Sequence, residues 1–236
     1  MTNPDPCELT GARTRLREFR LDDVDDALGV LGDERVTRTL SFDSRTREQA
    51  RAMIVGVIER AAARPRVEYY LAVTPPVGDR LVGFARLGLT GVRAAKLGVA
   101  IAAVHWGHGY GRDAAIVLLD FAFGPLELRR VSAAVGPDNA VSLRTVRRLG
   151  FGYEGRLRDH VFTNGAWRDS LLFSMLADEW RTMGVTGSRD ASVHEMSDDA
   201  DAGVSDPVEL GRIRDEIDKI DREVVRLLAQ RGQWVT

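Results

Sequence analysis

Gly107, Gly109 and Gly111 alternate with bulkier residues, and this spacing carries the clearest chemical signal in the chain. Glycine has no Cβ, so such a run can take positive φ values and let a ligand touch the backbone. The apolar run 96–104 before it reads as a buried strand. The stretch after it reads as a helix, with Ala115, Leu118, Leu119 and Ala122 on one face. N–H groups at a helix start lack intrahelical acceptors, and the helix dipole favours an anion there. Strand, glycine turn and helix together describe a pyrophosphate cradle. Arg112 and Asp113 follow Gly111, so the Gly-Lys-Ser/Thr of a P-loop is not met. A dinucleotide fingerprint is a closer rival through Gly109, Gly111 and Ala114, but its acidic partner, Asp138, comes late. A tight turn that binds nothing is the third reading of the same letters.

Trp106-Gly-His-Gly-Tyr-Gly111 resembles the acyl-CoA pyrophosphate motif of the GNAT acetyltransferase superfamily. With Leu97-Gly98 on the preceding strand, the tryptophan is similar to the branch of the ribosomal-protein N-terminal (Rim-type) acetyltransferases. Asn139-x-x-Ser142, an arginine-rich helix, Gly150-Phe151 and Glu154-Gly155 follow in that branch's order. Asp169 and Glu179-Trp180 resemble its closing signature, so the resemblance spans about residues 14–183. It implies an N-acetyltransferase that moves an acetyl group from acetyl-CoA to a primary amine, on a protein N-terminus or a small molecule. Cofactor contacts are implied at Val99, Ile101, Ala103, Trp106, Gly107, His108, Gly109, Tyr110, Gly111, Arg112, Asn139 and Ser142. The strand edge 99–103 would align the pantetheine arm and offer an N–H to the oxyanion.

Many members of the superfamily carry a proton-donating tyrosine at the position of Val146. The Rim-type pattern suggests Ser142 for that role, with Glu154 as the candidate base, acting directly or through water. An α-amine, with a pKa of ~7.7–8.0, needs less help from a base than a lysine at ~10.4, which favours α-amines or small amines of lowered pKa. Thr39, Leu40 and Phe42 lie in the stretch that covers the acceptor pocket in this family. An acyl-CoA-binding module without catalysis is the alternative that the missing tyrosine keeps open.

The elements that must position these groups form an α/β fold. The resemblance implies a GNAT-like mixed central sheet with a splayed strand pair, flanking helices and a separate C-terminal amphipathic helix. Strands are expected over 14–19, 69–73, 81–89, 96–104, 131–135, 157–162 and 168–175, and helices over 22–31, 48–62 and up to Leu149. A disordered leader is expected over 1–12, the acetyltransferase domain over 13–183 and a flexible acidic linker over 184–207. From 208 to 236, Leu210, Ile213, Ile217, Ile220, Val224 and Leu227 form an apolar stripe at helical spacing. This segment resembles the first helix of the all-helical chorismate mutases, with Arg214 and Arg231 at the positions of two substrate-holding arginines. It forms an incomplete domain by that comparison. Two readings follow: a homodimer paired through this helix, or a bifunctional acetyltransferase/chorismate mutase fusion truncated in this chain.

Composition bounds the rest. A net charge of −2 over 236 residues supplies no field to recruit nucleic acid or an anionic membrane. No apolar run is long enough for a membrane span, and the N-terminus lacks the pattern of a secretory signal. The single cysteine, Cys7, has no internal partner for a disulfide. These features together lead to the expectation of a cytoplasmic protein. His105 and His108 have no accompanying cysteine or carboxylate cluster, so no metal is expected, and His160 and His194 carry no readable signal.

Overall fold

A computed structural model of the chain describes residues 7–185. Eight strands form one sheet in the order β1-β2-β3-β4-β5-β6-β8-β7. They are β1 (Leu9–Thr10), β2 (Arg15–Arg17), β3 (Glu68–Thr74), β4 (Gly83–Leu89), β5 (Ala94–Ile101), β6 (Arg130–Val135), β7 (Gly152–Thr163) and β8 (Ala166–Leu176). The helices are α1 (Val24–Leu31), α2 (Glu34–Thr37), α3 (Arg47–Ala62), α4 (Tyr110–Phe123), α5 (Ala140–Arg148) and α6 (Ala177–Val185).

Side chains alternate across a strand, and here the two faces build two cores. Leu71, Leu87, Leu97, Val131, Phe173 and Met175 pack with Leu118 and Leu119 of α4, Val146 of α5 and Trp180 of α6. Ala72, Phe84 and Ala100, on the opposite face, pack with Ala27 and Leu31 of α1 and Ile54 of α3. Leu118 and Leu119 are fully buried, each contributing ~1.5–3 kcal/mol. Local signals set the helix ends. Thr46 and Gln49 form a reciprocal capping box on α3, and Asn139 caps α5.

β5 and β6 are parallel neighbours, connected through α4, but they pair only from Ala94–Arg130 to Lys96–Ser132. Beyond that point β5 stays paired with β4 as far as Ile101, and β6 with β8 as far as Val135. Each strand thus follows its outer neighbour, and the two part as a V. The expected splayed pair is present.

Several boundaries differ from the sequence reading. The leader expected to be disordered contributes β1, with Leu9 opposite Leu16, and Cys7 is buried against the sheet. A two-residue strand is too short to show a period, so only its partner reveals it. Burial pushes the Cys7 thiol up to about 12, with the nearby Glu18 carboxylate adding to the rise, so it stays protonated. α2 was not expected, and β5 ends at Ile101 rather than 104. α6 continues through 184–185, where the linker was expected to begin. The remainder of that linker and the helix expected over 208–236 lie outside the described residues. No helix among the described residues is long and apolar enough to cross a membrane.

Candidate functional site

Past the end of β5, Ala103–His105 make one turn of 3-10 helix. Ala103 therefore leaves the strand edge on which the sequence reading placed it, while Val99 and Ile101 remain there, half-buried. Trp106 is half exposed, and its Nε1–H donates to the Ile101 carbonyl at 2.8 Å. The indole thus closes the turn that follows the strand. Gly107 and Gly109 then adopt φ of 82° and 79°. A residue with a Cβ would pay roughly 1–2 kcal/mol at each position. Gly109 caps α4, so the N–H groups of Tyr110 and Gly111 open the helix without intrahelical acceptors. Gly111 is helical, and a Cβ there would come within 3.4 Å of Ile101 Cγ1, so the helix start lies close on the strand.

The turn borders a cavity of about 710 Å³ lined by Ala12, Arg13, Pro76, Gly107, His108, Gly109 and Tyr110. His108 stacks on Tyr110 with centroids 5.6 Å apart, and its Nδ1 lies 3.0 Å from the Trp106 carbonyl. No group of metal-ligating side chains occurs among the described residues.

Arg13 was missed in the sequence, because it lies about a hundred residues from the turn it serves. A Cβ on Gly109 would meet Arg13 Cδ at 3.2 Å. The connection is made by Asp113, in the first turn of α4 and only 9% exposed. Its carboxylate accepts from Ala12 N at 3.2 Å, Arg13 N at 2.9 Å and Thr14 Oγ1 at 2.7 Å. Positive-φ glycines, open N–H groups, a neighbouring guanidinium and a roomy cavity suit a pyrophosphate.

α5 starts beyond the end of β6. Asn139 Oδ1 accepts from Ser142 N at 3.0 Å, so its amide oxygen serves the helix cap. Ser142 is half-buried in the first turn, and Val146, at the usual tyrosine position, is core.

Glu154 is held on both sides. Arg130 donates to both of its oxygens, and Ser174 Oγ donates to Oε1 at 2.7 Å. The hydrogen bond from Arg130 holds the carboxyl below its ordinary range against the opposing effect of burial, and Ser174 assists. A carboxylate so engaged is a weak proton acceptor, and this geometry speaks against Glu154 as the base.

The stretch that the sequence reading set over an acceptor pocket is fastened by distant pieces of the chain. Leu40 and Phe42 pack onto the α1–α3 core, with Phe42 6.5 Å from Phe84, and Thr39 Oγ1 donates to the Val36 carbonyl. Asp43 receives Thr163 Oγ1 and Asn164 N, both at 2.6 Å, and Arg168 donates to the Arg38 carbonyl at 2.7 Å. The tip of the β7–β8 hairpin is thereby fastened to the α2–α3 loop. Lys96, Ser132 and Ser174 align across β5, β6 and β8 on one face of the sheet, with Ser170 on the same face of β8.

Comparison with known proteins accords with this geometry. The family described as an Acetyltransferase (GNAT) domain matches residues 13–152. An uncharacterized N-acetyltransferase of Bacillus licheniformis, p20, is 29% identical over 171 residues, covering 71% of this chain and 95% of that protein. RimJ of Mycobacterium smegmatis, solved with CoA-disulfide, superposes with a TM-score of 0.65 at 24% identity, covering 78% of this chain and 96% of that one. A GNAT-family acetyltransferase of Bacillus anthracis superposes at 0.64 with 20% identity, covering 73% and 100%. At these identities the two structures speak for the fold.

Proposed function

Because the chain belongs to the GNAT family of acetyltransferases and is an acyltransferase, we propose that it moves an acetyl group from acetyl-CoA to a primary amine. The acceptor is a protein N-terminal α-amine or a small-molecule amine. The observation that carries this reading is the turn of two positive-φ glycines at the start of α4, which follows the end of β5 on the open side of the V. Backbone N–H groups of 107–112 and the Arg13 guanidinium hold the pyrophosphate. The free edge of β5 at Val99 and Ile101 aligns the pantetheine arm toward the closed end of the V. A backbone N–H of that strand meets the developing oxyanion. Ser142, at the mouth of the V, returns a proton to the departing thiolate. Acetyl-CoA supplies the activated acyl carbon, and no metal takes part.

Two measurements test the reading. Acetyl-CoA titrated calorimetrically should bind the wild type, while Gly109→Asp should lose at least ~10-fold in affinity. That variant places a carboxylate beside the pyrophosphate and forces a Cβ into φ 79°. Thiol release from acetyl-CoA is then followed against peptides with free N-termini and against small amines. Unchanged affinity in a folded Gly109→Asp would remove the cradle assignment. Acetyl-CoA binding without transfer to any amine would instead favour the binding-module alternative, consistent with Val146 in place of the tyrosine.

A further inference from the structure

β7 and β8 lose register at two places, between Tyr153 and Gly155 and, more widely, between Leu157 and Val161. Leu157 pairs with Ser170 and Val161 with Arg168, so Arg158, Asp159 and His160 stand opposite Asp169 alone. Asp159 adopts φ 47° there, and its N–H donates to Asp169 Oδ1 at 2.9 Å. Bulges bend a strand and re-aim its side chains, and they are frequent beside active sites. This one sets His160 Nδ1 at 2.9 Å from Ser170 Oγ. Ser170 shares its face of β8 with Leu172 and Ser174, and Ser174 is aligned through Ser132 with Lys96. His160 therefore belongs to the polar face of the sheet on the open side of the V, beyond the point where β5 and β6 part.

We propose that His160 is the general base of the transfer, its Nδ1–H donating to Ser170 Oγ so that Nε2 faces the acceptor amine. The proposal rests on the acetyltransferase reading above. The amine arrives as an ammonium and gives one proton to Nε2. Its lone pair then forms the N–C bond to the acetyl carbon while the C–S bond breaks. The second proton lost from nitrogen reaches the thiolate through Ser142, giving free CoA thiol, and the imidazolium returns its proton to solvent.

The surroundings keep the imidazole in its basic form. Burial lowers its pKa from the ordinary 6.5, and the Lys96 ammonium lowers it further. Arg158 and Asp159 adjoin His160 on β7, and several other charged groups on the neighbouring elements are engaged elsewhere. Asp169 is bound by Arg156 and Asp159 N, with Arg158 close to it. Asp43 is bound by Thr163 and Asn164, Glu154 by Arg130 and Ser174, and Arg168 by the Arg38 carbonyl. Among the described residues Lys96 forms no ion pair, and its charge also favours the neutral form of an incoming amine.

The test uses the full chain and the peptide or small amine that the wild type acetylates fastest, with kcat/KM measured from pH 5 to 9. His160→Gln is expected to lower kcat/KM by ~10²-fold or more. It should also remove an acidic limb whose midpoint lies below 6.5 in the wild type, and leave acetyl-CoA affinity within about twofold. His160→Asn, which also presents an amide N–H toward Ser170, replaces it if the glutamine variant fails to bind acetyl-CoA. Imidazole added to His160→Ala should restore part of the rate. An active wild type whose rate and pH limb survive in the variants would overturn the base assignment alone. A wild type that binds acetyl-CoA but acetylates no amine would overturn the acetyltransferase reading and this proposal with it.

Discussion

Asp113→Ala separates the glycine turn from the arginine that completes it. The carboxylate accepts three hydrogen bonds from residues 12–14, at 3.2, 2.9 and 2.7 Å. Bonds to a charged acceptor are worth ~1.5–3 kcal/mol each, but three that share one acceptor do not add fully. Thr14 is 0% exposed, so its hydroxyl would be left buried without its carboxylate partner, at a cost of ~1–3 kcal/mol. The sum points to a loss of ~3–5 kcal/mol in unfolding free energy, within the range expected when a buried polar network is broken. Asp113→Asn can keep the oxygen shared by Arg13 N and Thr14 Oγ1 and lose only the longer bond from Ala12, so ~1–2 kcal/mol is expected. Urea unfolding followed by tryptophan fluorescence reads the stability, helped by Trp180, which is 3% exposed. Calorimetric titration under folding conditions reads acetyl-CoA affinity, expected to fall ~10-fold, or ~1.4 kcal/mol, as Arg13 leaves the turn. A loss below ~1 kcal/mol in Asp113→Ala would refute the anchor. Lost stability with unchanged affinity in the folded fraction would refute the link from Asp113 through Arg13 to the cofactor.

Ser142→Ala should lower kcat by ~10²-fold while acetyl-CoA affinity holds, and steady-state kinetics with near-normal turnover would return Ser142 to a purely structural part. Glu68 is pushed up by burial, but hydrogen bonds from Arg60 and Arg86 prevail and hold its carboxyl below the ordinary 4.5. Its folded pKa is thus the lower one, so its stabilisation is complete above ~4.5 and fades as pH falls toward the folded value. Melting temperatures between pH 7 and 3 should show a slope in that acid window that Glu68→Gln flattens. Deleting residues 208–236 should leave acetyl-CoA binding intact and shift the protein toward monomer in sedimentation velocity, whereas identical oligomeric states would count against pairing through that segment. Chorismate rearrangement should be absent from this chain, since Arg214 and Arg231 alone do not hold a substrate dianion, and measurable turnover would contradict that.

Much of the fold is local in origin and therefore legible in the letters. Short apolar runs bounded by turn residues mark β3 to β6 and β8, Asn139 and Gly150 bracket α5, and Gly107 and Gly109 announce positive φ, because each signal is complete within a few residues. The family resemblance added the splayed pair and pointed to the turn after β5. The sequence placed Glu154 as the base because its position fits the family pattern, but no local pattern shows that Arg130 and Ser174 converge on its carboxylate. His160 carried no signal, since its role depends on a register break between β7 and β8, and register is set by pairing across strands. Asp113 and residues 12–14 meet across about a hundred positions, as do Asp43 and Thr163. The sequence alone therefore determined most of the elements and the glycine turn, whose causes lie in backbone conformation and side-chain periodicity. Which polar groups face one another was decided only by tertiary structure, because packing of the two cores sets the positions of chain segments that share no local pattern.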